Sequence, residues 1–239
     1  MSNRKQQYEE REIRILQTAE QLLLDSGEGD LTLDSLAMQL DLAKGTLYKH
    51  FASKDELLMR ILIDFEKRKF MMNDVDDGAG AGVARLVLQL LNLPHRAVLF
   101  NQIEERLSST ASGLNKLFGE LYQVRKERMA RVAKIAETYL TEQNSGMTTR
   151  DYLATIYAVG QGGASLLNST FYQRYLGRRD TLKQALVRQI LDLPRLYPKD
   201  TTSDEQDEQN AKFSTQLKQQ IVDLEDFADL IGARVEMSV

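Results

Sequence analysis

Cysteine is absent from this chain, and histidine occurs only twice, at His50 and His95. Disulfides, thiol chemistry and thiolate zinc sites are therefore excluded, and two distant histidines make no metal-binding cluster. No apolar run approaches the roughly 18 residues of a membrane span. The opening MSNRKQQYEEREIR also lacks the apolar core of a secretion signal. A soluble, cytoplasmic chain without membrane contact is the expectation. Catalytic signatures are missing as well: there is no Ser-His-Asp arrangement, phosphate-binding loop, HExxH pair or dinucleotide fingerprint. Neighbouring acids such as Glu104 and Glu105 diverge by about 100° around a helix and read as solvated face. Neither an enzyme nor a cofactor-bearing protein is expected.

A general basic excess is lacking too. The net charge is −4 over 239 residues. Ten acidic against three basic side chains fall in residues 200–239, and residues 1–70 hold 11 Lys/Arg against 13 Asp/Glu. Any affinity for polyanions must come from where individual cations point, because bulk charge does not supply it. Hydrophobic residues make up 42% of the chain, enough for a packed core.

What is present is helical periodicity. The stretch LTLDSLAMQLDLAKGTLYKHFASKDELLMRIL, residues 31–62, organises the rest. Leu33, Leu36, Ala37 and Leu40 share one helical face. After Asp41-Leu42-Ala43, a second short segment from Lys44 to Phe51 brings Leu47 and Phe51 together. Ser53-Lys54-Asp55-Glu56 reads as a capping box opening a third helix. Two short helices across a tight turn outline a helix-turn-helix, whose second helix enters the DNA major groove. Small Ala37 would let the two helices approach, and Leu47 would hold them. Lys44, Thr46 and Lys49 are placed to reach base edges or phosphates, and Gly45 admits close backbone approach.

Leu31-Thr32 before a short helix, then KGTLYKHF and SKDELL, resemble the DNA-binding domain of TetR-family repressors over about residues 11–65. Asp41 stands where the family usually has Gly; Asp tolerates a left-handed backbone better than most residues. Ala43 replaces the usual capping Ser, which forfeits about 1 kcal/mol, and Lys44 opposes the helix dipole. The resemblance implies that Tyr48 and Lys54 hold phosphates, with Thr32 assisting. The expected DNA-contacting set is thus Thr32, Lys44, Gly45, Thr46, Tyr48, Lys49, His50 and Lys54. Arg4 and Lys5 lie in a polar stretch, residues 1–10, read as a frayed arm.

The remaining chain also reads as helices. Ile13, Leu16, Ala19 and Leu23 pattern a helix from Arg11 to Leu24. A long one runs from Lys54 to Met72, and the loop Asn73–Gly82 follows. Further helices are expected over Val83–Leu93, His95–Leu107, Gly113–Leu140, Thr149–Leu176 and Arg178–Leu193. Arg125, Lys126, Arg128, Arg131 and Lys134 crowd one of them and read as a solvated face, although an acidic ligand could meet them. Gly160-Gln161-Gly162-Gly163 costs helix stability and so needs either close helix packing or a kink beside a cavity. Candidate ligand contacts are His95, Tyr122, Arg125, Tyr157 and Gln161. An acidic linker from Lys199 to Lys212 precedes a last apolar stripe, Phe213, Leu217, Ile221, Leu224, Ala228 and Ile231.

The expected architecture is all-α: a three-helix helix-turn-helix domain at 1–65, a larger helical ligand-binding and dimerisation domain at 66–199, and a linker with an extra helix at 200–239. The resemblance implies a homodimeric repressor that binds near-palindromic double-stranded DNA and is released by a small-molecule effector of unknown identity. The last two core helices would pair with their copies as a four-helix bundle. The competing expectation is a DNA-bound interaction protein whose second domain engages a protein partner.

Overall fold

In the computed structural model, residues 3–72, 77–175 and 177–199 are described; the acidic linker and the 213–231 stripe lie outside the described residues. The described residues hold nine α-helices and no strand. The N-terminal helix α1 spans Asn3–Asp30 and is interrupted by Gly27, whose φ of 80° breaks the helical path. It begins eight residues before the expected start, so Arg4 and Lys5 sit on a helical turn and not on a frayed arm. The polar first turns are fixed by Tyr8, whose hydroxyl donates to the Lys49 carbonyl at 3.1 Å while its ring stacks on His50 at 4.0 Å. The buried stripe of α1 is Ile15, Ala19 and Leu23, whereas Ile13 is 55% exposed.

Helices α2 (Leu33–Gln39) and α3 (Lys44–Tyr48) form the expected pair. Thr32 and Ser35 build a reciprocal capping box at the start of α2. Between the helices Asp41 takes φ 51°, the left-handed conformation that the turn requires. Ala37 and Leu47 are buried where the helices meet. Helix α4 (Lys54–Met72) opens on Ser53, whose hydroxyl accepts from the Glu56 amide at 3.1 Å; the Glu56 carboxylate accepts in turn from the Ala52 amide at 2.9 Å.

The other helices are α5 (Ala79–Leu91), α6 (Pro94–Thr110), α7 (Asn115–Glu142), α8 (Thr149–Asn168) and α9 (Arg179–Asp192). Helix α8 stops eight residues short of the expected Leu176. Its final turn is closed by side chains from beyond it: Gln173 and Arg179 both donate to the Leu167 carbonyl, at 3.2 and 3.3 Å. Gly160 and Gly163 serve close packing. A Cβ on Gly160 would lie 2.5 Å from Leu90, and one on Gly163 would lie 2.6 Å from Leu186 and 2.7 Å from Leu91. Glycine here lets α8 approach α5 and α9.

Two apolar clusters make the core. One joins α1–α4 (Ile15, Leu36, Leu47, Phe51, Leu58) to α6 and the start of α7 (Phe100, Leu107, Leu117, Leu121). The other joins α5, the second half of α7, α8 and α9 through Val87, Val132, Tyr152 and Ile190. The expected division at residue 65 falls inside α4, and the first core runs across it.

Candidate DNA-reading face and effector cavity

The outer face of the helix-turn-helix follows from the packing of its inner one. With Leu33, Leu36 and Leu47 turned inward, Thr32, Lys44, Gly45, Tyr48 and Lys49 are left exposed and Thr46 half-buried. A Cβ added to Gly45 would meet nothing within 4 Å, so the bare backbone faces open space. Helix α3 starts on Ala43 without a side-chain cap, as expected. The cation at its first position is held by Asp34 of α2, 2.6 Å from the Lys44 ammonium, and this hydrogen bond pushes the Lys44 pKa up.

Two expected DNA contacts stand differently. The His50 side chain is 1% exposed, stacked on Tyr8 with Nδ1 3.6 Å from Glu12. It fastens α1 to the end of α3 and cannot reach a groove. Lys54 is half-buried and donates to the Glu28 carbonyl near the end of α1. One of its three protons therefore serves the fold, and the remainder of the ammonium is what a phosphate could use.

Beneath this domain lies a half-open cavity of about 720 Å³, lined by α4, α6, α7 and α8 with Leu90 of α5. Most of its wall is apolar: Leu62, Phe65, Ala97, Phe100, Met129, Leu153 and Ala154. Of the five residues expected to meet a ligand, it brings together Arg125, Tyr157 and Gln161, and Gln161 donates to the Tyr157 hydroxyl at 2.9 Å. His95 and Tyr122 do not line it. His95 is exposed in the first turn of α6, and Tyr122 is 68% exposed on α7, turned about 100° around the helix from the buried Leu121.

Of the cavity's charged cluster, the sequence singles out Arg125 as a ligand contact, reads Arg128 as solvated face and gives no role to Glu66 or Lys69. The Glu66 side chain is 4% exposed, with Lys69 at 3.0 Å, Arg128 at 2.9 Å and Arg125 at 3.5 Å. Arg125 also grips both oxygens of Glu104. Burial pushes the Glu66 carboxyl upward, but the three cations overcome it and leave its pKa below the ordinary value. The signal for these residues was their register. Leu121, Arg125, Arg128 and Val132 step by four, three and four, so the arginines share a helix face with buried leucine and valine. Leu62, Glu66 and Lys69 repeat the pattern on α4.

Ion pairs tie the helix-turn-helix to the helices around the cavity. Arg106 of α6 reaches Glu28 at 2.7 Å and Asp55 at 3.0 Å. Glu20 of α1, itself buried, meets Arg68 of α4 and, at 3.2 Å, Arg96 of α6. Glu120 of α7 holds Arg60 at 3.3 Å and Lys67 at 2.9 Å. Among the described residues no group of three potential ligand side chains could hold a metal ion, and no helix is long and apolar enough to cross a membrane.

Residues 15–61 match the family model described as bacterial regulatory proteins, tetR family. Similar solved structures include a transcriptional regulator from Saccharomonospora viridis in complex with choline, 19% identical with a TM-score of 0.58, covering 76% of this chain and 96% of that one. A TetR/AcrR-family regulator from Thermobifida fusca is 18% identical with a TM-score of 0.56, covering 77% and 97%. The regulator FadR from Bacillus subtilis, in complex with stearoyl-CoA, is 12% identical with a TM-score of 0.53, covering 75% and 97%. At these identities the likeness is one of fold. No curated protein matches the chain.

Proposed function

We propose that this chain, which carries a tetR-family DNA-binding domain at its N-terminus, is a homodimeric transcriptional repressor released from its operator by a small-molecule effector. The observation that carries this reading is the 720 Å³ cavity walled by α4, because the same helix carries the helix-turn-helix at its other end. A volume in the range of about 300–1,000 Å³ with mostly apolar walls suits a small organic ligand. It favours an effector over a protein partner as what the second domain engages, and the ligand-bound neighbours support a small-molecule site in such a fold. Residues 1–65 would then read DNA, and 66–199 would bind the effector and dimerise.

At the reading face Lys44, Thr46 and Lys49 would contact base edges. Thr32, Tyr48 and Lys54 would position the domain on phosphates, with the Gly45 backbone close to the groove. Dimerisation is assigned to α8 and α9. Ala158, Gly162 and Ser165 form an exposed small-residue face on α8, and a Cβ on Gly162 would meet nothing within 4 Å. A helical glycine without a neighbour among the described residues is accounted for by a second copy packed against it.

Random-sequence selection followed by footprinting tests the reading. A near-palindrome with half-sites about one helical turn apart, or a multiple of it, is the expected result. A single undivided footprint bound by a monomer would overturn it.

A further inference from the structure

Charge bookkeeping inside the cavity narrows the chemistry of its occupant. Among the described residues Lys69, Arg125 and Arg128 pair with two carboxylates, Glu66 and Glu104, which leaves this cluster with one more positive than negative charge. Every oxygen of both carboxylates already has a cationic partner. Glu66 gives one oxygen to Lys69 and the other to Arg128, and both Glu104 oxygens accept from Arg125. Donors remain: Arg128 uses only its Nε on Glu66, and Lys69 spends one proton there while its ammonium lies 4.5 Å over the Phe65 ring. A cationic guest would find three like charges and no free carboxylate, whereas an anionic guest would find guanidinium and ammonium protons already positioned. Beyond this end the walls are mostly hydrocarbon, with Asn101, Thr149, Arg150, Tyr157 and Gln161 as the other polar lining residues.

We propose that the effector is an amphipathic organic anion, with one carboxylate seated on the Arg128 Nη groups and Lys69 and an apolar body lying against Leu62, Phe100 and Leu153; this rests on the reading of the cavity as the effector site. Burial pushes the Lys69 pKa down, and a carboxylate beside it would relieve that cost.

Calorimetric titration of the full chain with dodecanoate, dodecanol and dodecyltrimethylammonium separates the possibilities, because the three share a tail and differ in head charge. Dodecanoate should bind at least about tenfold tighter than the other two, the scale of a charge-assisted hydrogen bond, and should weaken operator binding. Arg128→Gln should erase the preference by weakening dodecanoate far more than dodecanol, and Arg128→Lys should restore part of it. Melting curves establish that each variant is folded. Binding of the alcohol or the cation as tightly as the acid overturns the anion assignment and leaves the cavity reading intact. A folded Arg128→Gln variant that keeps the preference overturns the assigned seat. Failure of all three ligands to bind overturns both readings.

Discussion

Replacing Glu66 by Gln removes one negative charge from a buried group that three cations share. The side chain is 4% exposed, and Lys69 and Arg128 are each 15% exposed, so water cannot take over the lost partner. Breaking a buried ion pair from one side costs about 3–5 kcal/mol. Arg125 keeps Glu104 and is more open, which places the expected loss near the lower end, at about 3 kcal/mol. The pH dependence follows from the direction of the shift. The folded-state pKa of Glu66 lies below its ordinary value of 4.5. Its contribution is therefore complete above that value and disappears as the pH falls through the folded-state pKa. Urea denaturation of both proteins at one fixed protein concentration should give a gap of about 3 kcal/mol at neutral pH that closes in acid. A neutral-pH gap below about 1 kcal/mol, within the range of an exposed pair, would refute the reasoning, as would a gap that widens in acid.

Lys44→Ala and Lys49→Ala should each change the selected DNA motif, with about 1–3 kcal/mol of discrimination lost per base contact. Lys54→Ala should instead weaken specific and random DNA alike and also lower the melting temperature, because it removes the bond to Glu28. Gly162→Leu should yield a folded monomer by sedimentation, since a Cβ there meets nothing among the described residues, whereas Gly163→Leu should lower the melting temperature through its clash with Leu91 and Leu186. Ala43→Ser should stabilise the protein by about 1 kcal/mol in urea denaturation by supplying the missing cap of α3.

The helix-turn-helix was legible because its signals are local. Ala37, Leu47, Asp41 and the Ser53–Glu56 cap each act within a few residues of themselves, and each sits in the structure as its chemistry dictates. His50 was misplaced because its partners, Tyr8 and Glu12, lie some forty residues upstream. The cavity was only partly legible. Arg125, Tyr157 and Gln161 line it, but Glu66, Lys69 and Arg128 were passed over because charged side chains on helices are usually solvated. What reveals them is the pairing of α4 with α7, a contact between residues about sixty positions apart that no local pattern encodes. The end of α8 was overrun for the same reason, since the side chains that close it come from Gln173 and Arg179.

The first apolar core has a consequence for recombination between such proteins. Leu36, Leu47 and Phe51 share it with Phe100, Leu107 and Leu117, and Arg106 clamps Glu28 and Asp55 from the same side. A chimera joined just after α4 would carry the DNA-reading surface intact yet leave its underside facing a foreign α6 and α7. The graft would inherit the proposed specificity residues and lose part of the floor they stand on. Exchanging operator preference between relatives therefore calls for transplanting the outward side chains of α2 and α3, or for moving α6 and the first turns of α7 along with the head.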